Sequence, residues 1–168
     1  MPNEDTVREM YLTMVSYLAA HGLHRYEISN FAACGYESRH NLKYWRGEEY
    51  LGFGPAAHSD FGGVRFGNGR DVEGYLAGKD ITEERSTPSP MERNGEYVML
   101  GMRLEEGISL LELQRRLGEA ESQRVERLLE RYAALGLVRR WNGRVGFTSE
   151  GMLVSNTLLS ELLDFREL

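Results

Sequence analysis

Residues 26 to 58 read YEISNFAACGYESRHNLKYWRGEEYLGFGPAAH, and the rest of the chain is arranged around them. Two histidines (His40, His58), Trp45, two phenylalanines and four tyrosines sit here among Glu, Asn, Arg and Lys. A segment that only filled a core would not thread so many polar groups between its rings. A plain surface loop would not spend so many rings. The mixture suits a concave site with an apolar body and a few placed polar groups.

Composition bounds what such a site can belong to. The chain has 168 residues, 41% hydrophobic and 27% charged, enough for one ordinary domain or two small ones. A net charge of -6 argues against general nucleic-acid affinity, which needs a basic surface. No apolar run is long enough for a membrane span, and the start, Met-Pro-Asn-Glu-Asp, lacks the pattern of a secretory signal. The single cysteine, Cys34, excludes an internal disulfide framework. A cytoplasmic protein is expected.

Upstream of the opening stretch, residues 3 to 21 have the period of an amphipathic helix. Val7, Met10, Tyr11, Met14 and Leu18 form its apolar stripe, Asn3 is the cap and Gly22 the stop. Leu23 to Ser29 reads as a strand with Tyr26 and Ile28 on one face and Arg25 and Glu27 on the other. Downstream, nine glycines in the 32 residues from Gly47 to Gly78 predict irregular loops, with one helical turn over Asp71 to Leu76. The polar, aperiodic segment 79–88 reads as a linker separating 1–78 from 89–168.

The second unit has a different texture. Ser89-Pro90-Met91-Glu92 and Ser109-Leu110-Leu111-Glu112 are capping boxes, opening helices to about Leu104 and Leu117. Glu121 to Leu135 is a third helix that buries Val125, Leu128, Leu129 and Tyr132 and stops at Gly136. Asn142-Gly143 between two short strands is a type I′ hairpin signal, and a last helix from Thr148 or Ser149 turns Met152, Leu159 and Leu163 inward. Three helices, a hairpin and a closing helix describe a winged-helix-like domain in an α+β chain.

Three motifs in this order carry a family resemblance: Tyr26-Glu27-Ile28-Ser29-Asn30-Phe31, His40-Asn41-Leu42-Lys43-Tyr44-Trp45, and Gly52-Phe53-Gly54-Pro55-Ala56-Ala57-His58. Together they resemble the oxygen-independent coproporphyrinogen III oxidase-like radical S-adenosylmethionine family, and the His-Asn-x-x-Tyr-Trp block resembles its haem-chaperone branch. The likeness covers only the C-terminal part of such a protein. It implies that residues 1–78 are the end of a partial (β/α) barrel, with Asn30 to Arg46 at its functional rim. A [4Fe–4S] cluster of that family needs three thiolates spaced C-x-x-x-C-x-x-C. One cysteine cannot supply them, so the cluster and S-adenosylmethionine are expected in intact relatives only. The chain is then a fragment or a degenerate paralogue, and not catalytic alone.

Bare residue chemistry leaves the site open. On a helix, His40 and Tyr44 lie one turn apart. An imidazole can ligate haem iron and aromatic rings can cover a macrocycle, but a hydrogen-bonded histidine in an aromatic cluster is the plainer reading. The resemblance implies haem contact through His40, Asn41, Tyr44 and Trp45, with His40 on the iron. Arg39, Lys43 and Arg46 are placed to meet propionates. Gly52, Gly54 and His58 would line the site, although a satisfied loop histidine is the simpler account of His58. Implied partners are a tetrapyrrole, the missing N-terminal barrel half and a haem-accepting protein. The competing class is a winged-helix module binding nucleic acid or protein, since eight arginines face four glutamates between Arg115 and Arg144. The glutamates interleave with those arginines at pairing distance, which makes nucleic acid the lesser expectation.

Overall fold

Asn3 accepts the Thr6 amide at 2.8 Å and caps α1 (Glu4–Ala20). Gly22, at φ +79°, stops that helix where the sequence placed its end. The computed structural model describes residues 3–164. The apolar stripe of α1 is only partly used. Tyr11 and Leu18 are half-buried, whereas Val7, Met10 and Met14 are exposed and no α1 residue is buried.

The strand expected over Leu23 to Ser29 is shorter, and of its two faces the charged one is buried. Only β1 (His24–Arg25) forms, paired antiparallel with β2 (Phe31–Ala32) through a tight turn. Arg25 and Glu27 are the buried members, and Tyr26 and Ile28 are half-buried. Alternation along a strand says which residues share a face but not which face is inside. Here the polar face goes in because each group finds partners. Arg25 donates to Glu105 at 2.9 Å and to the Tyr11 hydroxyl at 3.0 Å. Glu27 accepts the Ser29 amide at 3.0 Å and the Asn30 side chain.

Next, α2 (Arg39–Trp45) is capped by Ser38, whose hydroxyl accepts the Asn41 amide. The glycine-rich stretch is irregular over 47–57, as expected, but not beyond, and the helical turn expected over Asp71 to Leu76 forms. It holds β3 (His58–Phe61), β4 (Val64–Asn68) and α3 (Val72–Leu76), and the segment read as a linker holds β5 (Thr82–Ser86). These strands form one antiparallel sheet in the order β3-β4-β5. Gly62 and Gly63, both at positive φ, make the β3–β4 turn. All five residues of β5 are exposed and three are charged, which is how an edge strand is kept from pairing further. That composition hid it from a search for alternation. The pairings of all three sheets are antiparallel, and Leu23–Ser29 forms no parallel pair among the described residues.

After Ser89, which caps α4 (Pro90–Gly101) reciprocally with Glu92, the chain builds its core. The helix ends before the expected Leu104, at Gly101, where a Cβ would strike Ile108. Ile108 and Ser109 form β6, which the sequence did not signal. α5 (Leu110–Ala134) is broken at Gly118 (φ 75°, ψ 176°) into the two helices expected. β7 (Val138–Trp141) and β8 (Arg144–Phe147) flank Asn142 (φ 46°) and Gly143 (φ 72°), the positive pair a type I′ turn demands. The sheet order is β6-β8-β7. The closing helix is two pieces, α6 (Ser149–Leu153) and α7 (Ser155–Leu162). Met102, Leu113, Val125, Leu129, Val145 and Phe147 are fully or almost fully buried in a core that α4, α5, α7 and the sheet enclose.

Candidate functional site: the two sides of α2

Because Ser38 and the turn before it start a short helix, His40 and Tyr44 are stacked one turn apart on its outer side. The His40 Nε2 and the Tyr44 hydroxyl are 3.2 Å apart, with ring centroids at 4.9 Å and planes at 89°. Tyr44 in turn meets Tyr50 edge-on at 4.4 Å. Tyr50 is held by exchanging backbone hydrogen bonds with Asp60 at 2.8 and 3.0 Å. Burial, then the neighbouring Tyr44 and Asp60, raises the Tyr50 hydroxyl above the usual tyrosine range, so it stays protonated. His40 and Tyr44 are exposed, and Arg39 and Lys43 beside them are exposed without an ion pair among the described residues.

Asn41 and Trp45 occupy the inner side. The Asn41 amide lies 3.5 Å from the Tyr26 hydroxyl, and half-buried Trp45 lines a cavity between α2 and α4. His40 and Trp45 are five positions apart, about 140° around the helix. The motif is therefore split: His40 and Tyr44 face out, while Asn41 and Trp45 face the body. Arg46, expected near propionates, is instead committed to Glu106 through two bonds of 3.0 Å, and the hydrogen bonds to Glu106 raise its pKa.

Gly52 and Gly54 serve their own chain. The Gly52 amide donates to the Ser59 hydroxyl at 3.0 Å, and a Cβ on Gly52 would collide with the His58 carbonyl. Gly54, at φ +99°, offers its carbonyl to Asn68 at 2.9 Å. His58 lies at the head of β3 in a separate groove with Glu84 and Arg85. Tyr50 is the common wall, bordering that groove and touching Tyr44. Cys34 is exposed, and no three His, Cys, Asp or Glu side chains converge as a metal site among the described residues.

Sequence reasoning missed what fixes these parts together. Asp60 accepts both Arg65 and Arg93, and Arg65 also grips Glu96. The Arg93 hydrogen bond, before that of Arg65, holds the Asp60 carboxyl below its ordinary range. Arg65 is five residues from Asp60, but Arg93 is 33 from Asp60 and Glu96 is 31 from Arg65, so no local spacing could have found the network. The arginines of the second unit are similarly engaged. Arg115 and Arg116 pair with Glu112, Arg124 with Glu121, Arg131 with Glu161, Arg139 with Glu105, and Arg140 with Glu126 and Glu130.

Known proteins place this arrangement in a family. A family model described as the HemN C-terminal domain matches residues 89–154. "Heme chaperone HemW" of Bacillus subtilis is 34% identical over 170 residues, covering 97% of this chain and 44% of that protein. The protein of the same name from Mycobacterium tuberculosis is 33% identical over 169 residues, covering 96% and 40%. The chain belongs to the oxygen-independent coproporphyrinogen III oxidase-like family. It spans less than half the length of these curated relatives and corresponds to their C-terminal part. The fold agrees: the solved structure titled "Coproporphyrinogen III oxidase (HemN) from Escherichia coli is a Radical SAM enzyme" superposes on 98% of this chain and 42% of that one. Its TM-score is 0.69 at 12% identity. No helix among the described residues is long and apolar enough to cross a membrane.

Proposed function

We propose that this chain is the tetrapyrrole-contacting C-terminal portion of a radical S-adenosylmethionine haem chaperone, inactive as a catalyst by itself. The observation that carries the reading is the outward His40–Tyr44 pair, an exposed imidazole on an aromatic platform with the unpaired Arg39 and Lys43 beside it. An imidazole nitrogen suits haem iron, exposed rings suit the macrocycle, and the two free cations suit propionates. Asn41 and Trp45 hold the helix from behind, and Tyr44 orients the His40 ring through Nε2. For iron to take Nε2, the Tyr44 hydroxyl must release it; otherwise Nδ1 is the ligand. His58 borders the site by way of Tyr50, and Gly52 and Gly54 support the loop that leads to it.

Residues 1–78 are read as the end of a partial (β/α) barrel, and 89–168 as a winged-helix-like unit, from the element order helix, strand, two helices, hairpin. The missing barrel half covers the exposed stripe of α1. A haem-accepting protein is the further partner, and the setting is cytoplasmic. With one cysteine, this chain's residues do not fit a [4Fe–4S] cluster, so that cluster and S-adenosylmethionine belong to the remainder of intact relatives. A nucleic-acid-binding role is disfavoured because so many arginines of the second unit are paired with carboxylates.

Haem titration tests the reading. His40→Ala should shift or abolish the Soret band by removing the axial ligand. His58→Ala, His21→Ala and His24→Ala should leave it largely unchanged. Four histidine variants that all titrate like the parent chain would remove the iron-ligand role of His40.

A further inference from the structure

The inner side of α2 opens on a cavity of about 280 Å³ shared with α4 and the residues around β6. Trp45, Leu100, Leu104 and Ile108 give it an apolar wall. Ligand cavities run from about 300 to 1,000 Å³, so this one suits a single ring with a charged group and not a macrocycle. Its charge is set by how each bordering guanidinium is neutralised. Arg46 is matched by Glu106, and Arg93 together with Arg65 by Asp60 and the lining Glu96. Arg116 has only a share of Glu112, which Arg115 also holds. Arg144 has no carboxylate partner among the described residues; it donates to the carbonyls of Glu106 and Gly107 at 2.7 and 2.8 Å.

The two under-compensated cations line the same cavity. The Arg116 guanidinium lies 4.6 Å from the centroid of Tyr97, another lining residue, and Arg116 and Arg144 both act electrostatically on the Tyr97 hydroxyl. That hydroxyl is already engaged with the Ser109 backbone, so it is no competing acceptor for either cation. A protein of net charge -6 thus keeps a local cationic surplus against an indole and aliphatic wall. Surplus guanidinium N–H groups beside an apolar wall recognise a carboxylate carried on a flat apolar body.

We propose that the cavity between α2 and α4 binds a small aromatic carboxylate, its charge on Arg116 and Arg144 and its ring against Trp45. The site is separate from the haem reading, since it lies on the opposite side of α2 from His40. The test is calorimetric titration of the whole chain at low ionic strength with benzoate, acetate and benzyl alcohol. Benzoate should saturate, while acetate, which has charge without a ring, and benzyl alcohol, which has a ring without charge, should each bind at least about tenfold more weakly. Arg116→Gln should weaken benzoate by about tenfold, and Arg144→Lys, which keeps charge but loses the fork, by less. Arg116 is not among the buried residues, so Arg116→Gln carries the test even if Arg144 variants misfold. His40→Ala should leave benzoate binding unchanged, which separates this site from the haem site. Absence of benzoate saturation, acetate binding as well as benzoate, or an Arg116→Gln affinity equal to the parent's would each overturn the proposal.

Discussion

Residues 3–88 and residues 90–164 are held together by different forces. Among the described residues, the second region owns every buried apolar side chain except Ala32. The first region buries Arg25, Glu27, Ser59 and Asp60 instead, and turns Val7, Met10 and Met14 to the outside. Ion pairs fasten it to the second region: Asp60 with Arg93, Arg65 with Glu96, Arg25 with Glu105, Arg46 with Glu106. Hydrophobic burial gives a region stability of its own, whereas polar pairing gives it a position and little more. The difference teaches that charge pairs place the first region as a docked rim against the apolar core of the second, while α1 leaves Val7, Met10 and Met14 exposed.

Substitutions can break or sharpen that contrast. Leu129→Ala, at the centre of the core, should cost about 2–5 kcal/mol in denaturant unfolding, while Met14→Ala should stay within about 0.5 kcal/mol. Equal costs would dissolve the distinction between the regions. Asp60→Asn leaves Arg65 and Arg93 facing a neutral amide in a nearly buried site, at a cost of about 1–3 kcal/mol. Its loss should appear in the first region, as weaker protection of β3 and β4 with the core unchanged. Acid should have the mildest effect. Asp60 and Glu112 both have depressed pKa values, Glu112 at about 2 because of Arg115 and then Arg116. Their stabilisation is complete above the ordinary carboxylate range near 4 and is lost as pH falls through the folded values. An acid titration should therefore release the docked sheet only below the ordinary carboxylate range near 4, as pH falls through the lowered Asp60 value. Stability that instead rises on acidification would contradict the pairing.

How much was legible follows the same division. The caps Asn3, Ser89 and Ser109, the stop at Gly136 and the Asn142-Gly143 turn act through neighbours three residues away or closer, so the sequence displayed them. The pairing of His40 with Tyr44, four residues apart, was readable from the helical period. β3, β4 and β5 were not, because glycines there make turns and close approaches inside a sheet, and an all-exposed charged strand has no alternation to detect. The inward turn of Arg25 and Glu27 depends on Glu105 and on a backbone bridge from Glu27 to Leu104, far away in the chain. The split of the motif across α2 could be inferred from helical period, but which side met the body could not.

Native-state hydrogen exchange on the whole chain measures the central contrast most directly. Amides of α4, the second half of α5 and β8 should exchange only through global unfolding, with a common free energy. Amides of α1, β3, β4 and β5 should exchange through smaller openings at distinctly lower free energy, and added salt should lower it further while leaving the core values in place. Uniform protection across both regions, insensitive to salt, would contradict a charge-docked rim on an independent core.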